Sequence, residues 1–228
     1  MHSLMTFQNT EVEIDSPSKS LVESYLTKNG LPIHQVGNTQ YQGDHTFAAE
    51  VTDRDPRLAA TIRTSGLSLT GIDDVWAISG YFGNRFVNPN LIDKPGGSSY
   101  TCITDAPVMK LNEVLMNYIE AAAELADMGA YTLTQADFDK TINVIRDRPS
   151  TQMPHLVLAG SNLQVNGVTI NDPERDADVT PIIWEIRRER RTELVYEGIR
   201  FNDLRRWSKL HYADMVRNPK ANRGAYLD

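Results

Sequence analysis

The stretch from Pro181 to Trp207 reads PIIWEIRRERRTELVYEGIRFNDLRRW. Arg187, Arg188, Arg190 and Arg191 alternate with Glu185, Glu189, Glu193 and Glu197, a pattern that predicts a helix punctuated by Gly198. Pro181 suits the first helical turn, because its fixed φ and missing N–H cost nothing there. At about 100° per residue, Ile183, Ile186 and Leu194 share one narrow face, and Arg190, Glu193 and Glu197 fall in the same arc. An ordinary surface helix keeps charges off its apolar stripe. A lone charge on a buried face is costly, so these three residues are expected to form a paired, partly buried ionic network that clasps the helix to the rest of the fold.

The rest of the composition narrows what such an Arg-rich helix can do. The chain has 228 residues with 40% hydrophobic and 23% charged content, globular rather than disordered, and enough for one good core or two small ones. Its net charge is −7. Phosphate binding needs a basic footprint, so no nucleic-acid partner is expected. Cys102 is the only cysteine, which excludes an internal disulfide and a cysteine-based zinc site. The N-terminus, MHSLMTFQNTEVEID, lacks the basic start and apolar run of an export signal. No stretch approaches the ~20 apolar residues of a membrane helix. A cytosolic protein, or a chain lacking the start of its parent, would read this way.

Residues 1–107 form a loop-rich subregion, interrupted by Pro17, Gly30, Pro56, Gly80, Pro95 and other turn formers. A short helix is expected over Ser18–Thr27. In Asp53-Arg54-Asp55-Pro56-Arg57-Leu58, two acids and two bases flank a proline, and local salt bridges pinning a turn are the expectation. Leu58–Arg63 and Tyr100–Thr104 read as short strands. Between them lies WAISGYFGNRFV, Trp76–Val87, too glycine-rich for a packed helix. Aromatic rings on surface loops bind flat ligands such as sugars. Trp76, Tyr81 and Phe82, with Asn84 and Arg85 as hydrogen-bond donors, are therefore the candidate ligand contacts; Trp76 and Tyr81 are expected to be exposed. The bland alternative is that these rings plug the core.

Residues 108–228 read as helical. Val108–Met128 has a wide apolar face, from Val114 and Leu115 through Tyr118, Ile119 and Ala122 to Leu125 and Ala126, so at least two neighbours are expected to flank it. Gly129 is its stop. Thr134 and Asp137 resemble a capping box opening a second helix to Arg146. The two make a helical hairpin of tetratricopeptide-like length. Residues 149–180 read as loop. Asp172, Glu174, Asp176 and Asp178 alternate there, but without the central glycine and distal glutamate of a calcium loop, so no metal site is expected. Ser208–Val216 adds a short helix.

Several of these strings resemble the signature of the SusD/RagB family, the nutrient-binding outer-membrane lipoproteins of Bacteroidetes. The C-terminal part is Glu185-Ile186-Arg187-Arg188-Glu189-Arg190-Arg191, then Glu193-Leu194, Glu197-Gly198, Arg200-Phe201 and Asp203-Leu204-Arg205-Arg206-Trp207. Asp53–Leu58 resembles the family's R-D-P-R-L, Asn117–Ala121 its N-Y-A-E-A, and Asn143–Pro154 its I-N-x-[IV]-R-x-R…M-P. The resemblance spans about Pro17 to Tyr226. It implies a mainly α fold of tetratricopeptide-like helical pairs with long irregular loops and a few short strands. It also implies a non-enzymatic, surface-exposed protein of the outer membrane that binds oligosaccharide and delivers it to a SusC-type TonB-dependent transporter. Members are about twice this length or more, so the chain resembles the C-terminal half, truncated at both ends. Attachment to the membrane would then be through an N-terminal lipid anchor absent from this chain. Neither a cofactor nor a catalytic residue is implied.

Two other classes compete. A helical-repeat scaffold for protein partners shares the hairpin but not the Trp76 loop. A glycoside hydrolase needs one carboxylic acid with a raised pKa, whereas Glu193 and Glu197 share a face with arginines that lower it. His34, His45, His155 and His211 fall in no metal pair and no nucleophile motif.

Overall fold

The computed structural model describes residues 16–64, 79–85 and 107–226. Within them the fold is mainly helical with one small sheet. Helix α1 is Lys19–Ser24, started by Ser18, whose hydroxyl accepts from the Leu21 amide. Thr46 caps α2, Phe47–Val51, in the same way. Helix α3 is Pro56–Thr61. Here the strand expected over Leu58–Arg63 is corrected to a helix. Asp55 accepts from the Arg57 amide at 2.9 Å and Pro56 occupies the first turn, so the Asp-Pro pair starts a helix rather than pinning an isolated turn. Only Ile62 is extended, in a single bridge to Gly83. Tyr100–Thr104 lies outside the described residues.

Helix α4, Leu111–Asp127, ends before Gly129 at φ 73°, a conformation that favours glycine. It buries Met116, Ile119, Ala122 and Ala123 against its neighbours. Val114, Tyr118 and Leu125, counted in the wide apolar face, are 41–46% exposed, so only part of that face is covered.

The capping box at Thr134 and Asp137 is present, with the Thr134 amide donating to Asp137 Oδ2 at 2.9 Å. The helix it opens is split: α5 is Gln135–Asp139 and α6 is Ile142–Arg146. The Thr141 hydroxyl donates back to the Asp137 carbonyl at 2.5 Å, and its own backbone leaves the helical region.

Residues 149–180 are not all loop. Strands β1 (Val157–Ala159), β2 (Asn162–Val165) and β3 (Val168–Thr169) form an antiparallel meander, pairing Leu158 with Leu163 and Val165 with Val168. Asn166-Gly167, both at positive φ, is the two-residue turn that joins β2 to β3.

Helix α7 is Pro181–Glu193 and α8 is Arg200–Arg206. The helix predicted through Glu197 therefore ends at Glu193. The turn that follows carries Tyr196 and Gly198 at positive φ. A 3₁₀ turn at Leu210–Ala213 replaces the helix expected over Ser208–Val216.

Helix α7 is the axis on which both halves of the chain meet. On one side, Ile183, Ile186 and Leu194 join Met116, Ile119, Phe138, Ile142 and Leu163 in the larger apolar cluster. A smaller cluster of Val22, Tyr25, Leu58, Ile62 and Tyr81 is built from the first half. The Tyr25 hydroxyl ties it to α7, donating to the Thr192 carbonyl.

Candidate functional site

Of the candidate ligand loop Trp76–Val87, residues 79–85 are described. Tyr81 is corrected from exposed to fully buried. Its ring packs in the smaller cluster, and its hydroxyl donates to both oxygens of Glu50, at 2.8 and 2.9 Å. Burial and the Glu50 carboxylate push the Tyr81 hydroxyl far above the usual phenol range, so it stays a neutral donor. Phe82 is 7% exposed, with the Arg63 guanidinium over its ring. The half-buried Asn84 donates to the Ala59 carbonyl at 3.0 Å. Arg85 donates to the Glu193 carbonyl and to Glu197 Oε1 at 3.0 Å. Trp76 lies outside the described residues.

Arg190, Glu193 and Glu197, expected to form a paired, partly buried ionic network, each meet oppositely charged partners from other elements. Arg190 donates through Nε to Asp203 at 2.7 Å and through Nη1 to Asn117 at 2.6 Å. Glu193 accepts from Arg57, Arg148 and Asn112. Glu197 accepts from Arg85 and Lys110. The most central joint was not singled out in the sequence: Glu189 takes Arg57 on one oxygen and Arg146 on the other. Burial pushes its carboxyl up, but Arg146 and Arg57 outweigh that and hold it well below the usual carboxylate range. The arginine-glutamate alternation carried this signal, because Glu189 lies one turn from both Glu185 and Glu193.

Glu185 is the exception in direction: burial raises its carboxyl despite Arg188 at 3.0 Å. It is 2% exposed and does not line the cavity described next. Of the alternating acids, Asp172 accepts from Trp184 Nε1 at 2.7 Å and from Arg188, while Asp176 and Asp178 both hold Lys209 at 2.7 Å. Among the described residues, no three His, Cys, Asp or Glu side chains are placed to hold a metal ion. Nor is any helix long and apolar enough to cross a membrane.

An open cleft of about 540 Å³ lies between α1, α7, α8 and the 3₁₀ turn. Trp184, Tyr212, His34, Arg191 and Arg200 line it, and none of them was a candidate contact. An aromatic-and-guanidinium wall of this size suits a saccharide-sized ligand. Trp184 belongs to the helix-forming stretch Pro181–Trp207, so its use in a cleft was masked by its place in that pattern.

The sequence model of the SusD family matches residues 8–227. The chain belongs to the SusD family. A structure similar to this family member is that of a SusD-like carbohydrate-binding protein from Bacteroides fragilis, at 27% identity and a TM-score of 0.55; 84% of this chain and 35% of that one are covered. Two structures of the protein BT4246, one of them with selenomethionine, share 22% identity at TM-scores of 0.57 and 0.56 and show the same fold over 87% of this chain. This SusD-family chain thus spans about a third of the length of the solved relatives it matches. None of the curated proteins compared with it is similar.

Proposed function

We propose that this chain is part of a non-enzymatic glycan-binding protein, exposed at the outer membrane, that captures oligosaccharide and passes it to a SusC-type TonB-dependent transporter. The observation that carries the reading is family membership over residues 8–227, together with a 27%-identical relative described as SusD-like and carbohydrate-binding. The charge chemistry supports the non-catalytic part. Glu189 is held ionised by two arginines, and Glu185, the carboxyl that burial raises, stands outside the large cleft. A glycosidase needs a raised carboxyl at the substrate.

Of the candidate contacts, Trp76 and Asn84 remain the proposed ligand contacts, whereas Tyr81 and Phe82 are buried and Arg85 is tied to α7; the cleft lined by Trp184 and Tyr212 is a second proposed ligand surface. A glycan array, followed by calorimetry on the glycans retained, tests the function. Binding without product formation is expected, and Trp76→Ala is expected to weaken it at least about tenfold without lowering the melting temperature, as for loss of an aromatic contact. Release of shorter saccharides from a bound polysaccharide would replace the reading with a hydrolase. Pull-down of a TonB-dependent transporter with this protein tests delivery.

A further inference from the structure

Helices α7 and α8 enclose a pocket of about 70 Å³ that adjoins the large cleft and shares Trp184, Arg188, Arg191, Arg200 and Tyr212 with it. Its lining includes the cations Arg187, Arg188, Arg191, Arg200 and Lys209 and no carboxylate. Three of these charges are answered from outside the pocket. Arg187 meets Glu124 at 3.1 Å, Arg188 meets Asp172 and Glu185, and Lys209 meets Asp176 and Asp178.

Arg191 and Arg200 are not answered in this way. Arg191 Nη2 donates to Ser20 Oγ at 3.0 Å, and the Arg200 guanidinium lies 5.5 Å from the centre of the Trp207 ring. Among the described residues, neither forms a salt bridge with a carboxylate. Burial holds the Arg191 guanidinium down to about 9, with Arg200 adding to the effect, and burial also lowers Arg200. Asp203 is the counter-charge that acts on Arg200, but it is already taken by Arg190 and Arg206. Two partly buried like charges that line one pocket with no carboxylate of their own are an electrostatic cost that an anion would relieve.

The pocket holds little more than two waters at roughly 30 Å³ each, which matches an acidic substituent and not a sugar ring. The ring has room in the cleft next door. Glu23, Asp172, Glu174 and Asp176 line that cleft but not the pocket, so an anionic group is turned toward the arginine end.

We propose that this pocket seats the oxyanion of an acidic saccharide, a uronic carboxylate or a sugar sulfate, between Arg191 and Arg200, with the sugar ring in the adjoining cleft. The inference rests on the glycan-binding reading and names the ligand class for it.

The test is an array of neutral, uronate-containing and sulfated oligosaccharides, with calorimetry on the strongest of each class and inorganic sulfate as a control. An acidic saccharide is expected to bind at least about tenfold more tightly than its neutral counterpart, the scale of one charged hydrogen-bonded pair. Arg200→Gln and, separately, Arg191→Gln are expected to remove that difference while neutral binding persists. The uronate and sulfate arms tell the two oxyanion sources apart. Equal binding of acidic and neutral saccharides, unchanged in both variants, overturns the pocket and leaves glycan binding standing. Binding of sulfate with no acidic saccharide marks an adventitious ion only and also overturns it. Failure of every saccharide to bind overturns glycan binding itself. Each variant is first checked by thermal unfolding, so that whichever folds carries the test.

Discussion

Arg57 of α3 donates through Nη1 to Glu189 of α7 at 2.9 Å, across 132 residues of chain. Both side chains are almost wholly buried. The same guanidinium holds Asp55 at 2.6 Å, and the second Glu189 oxygen holds Arg146 of α6. One carboxylate therefore joins a helix of the first half to a helix of the hairpin, through the signature helix. Because the groups are removed from water, each depends on its partners, and taking one away strands the others.

Removing either partner is expected to be severe for this reason. Arg57→Ala and Glu189→Ala should each cost about 3–5 kcal/mol of folding stability, the range for breaking a buried pair. The double variant should cost clearly less than the sum, since each single change already strands the same interaction. Denaturant melts of the three variants measure the coupling. Simple additivity would mean that the two residues do not act through each other.

The same carboxylate sets an acid limit. The folded Glu189 lies below its unfolded value of about 4.3 because Arg146 and Arg57 outweigh burial. A depressed carboxyl contributes stability that is present above the unfolded value and lost as pH falls through the folded one. Stability should therefore drop from about pH 5 downward. Asp137 and Asp172, also lowered, add to the drop, while Glu185, raised, opposes it. Glu189→Gln should lower stability at pH 7 and flatten the fall between pH 5 and pH 2. A parallel pH profile for the two proteins would remove Glu189 from the account.

The parts of this fold that were readable share a local cause. Thr134, Gly129 and Pro181 are capping, stopping and starting residues, and their chemistry acts within one turn. The split at Thr141 and the end of α7 at Glu193 depend on backbone geometry that periodicity does not encode. Helix α3 was legible in Asp55-Pro56 but was outweighed by the alternation after it. The β2–β3 hairpin had its own signal in Asn166-Gly167, lost within a loop-like stretch. The candidate site was read by composition, which finds aromatic residues but not the face they occupy. Tyr81 turned inward because Glu50 offers its hydroxyl a buried acceptor, a contact 31 residues away in sequence. The Arg191–Arg200 pocket depends on how α8 leaves α7 after the turn at Tyr196 and Gly198, and no spacing rule states that angle.

Tyr81 gives a direct check on the correction. Tyr81→Phe keeps the ring and deletes the hydrogen bonds to Glu50, whose carboxylate still holds Lys19 at 2.8 Å. A loss of about 1–2 kcal/mol is expected, with glycan affinity unchanged. A loss of affinity at unchanged stability would instead return Tyr81 to the ligand surface.

Gly224 is required by close approach. A Cβ at this position would overlap the Ser79 carbonyl oxygen, which accepts from the Ala225 amide at 2.7 Å. The opposing atoms are backbone, so no side chain can move aside. Gly224→Ala should push the C-terminal segment off residues 79–81, at a cost of about 1–3 kcal/mol. Faster hydrogen exchange at Ala225 is the specific readout; unchanged protection there would contradict the overlap.

Arg190 separates the role of the signature from that of the ligand site. It is 5% exposed, donates to Asp203 at 2.7 Å and to Asn117 at 2.6 Å, and has Glu120 at 3.6 Å. These partners come from α8 and α4, so its loss weakens the hold on Asp203 and loosens two helices from α7. Glu120 and Asp203 keep Arg206, which limits the damage. Arg190→Ala should therefore cost about 3–5 kcal/mol, toward the lower end of that range. Arg190 does not line the pocket between Arg191 and Arg200, although it precedes Arg191 in the chain and lines a different cavity with both. Affinity of the remaining folded protein for a bound glycan should stay within about twofold of the parent, because no ligand-facing charge is removed. Unfolding in denaturant and calorimetry below the melting temperature measure the two effects on one sample. A large fall in affinity at nearly unchanged stability would assign Arg190 to the binding site and undo the division between the residues that hold α7 in place and the residues that face the cleft.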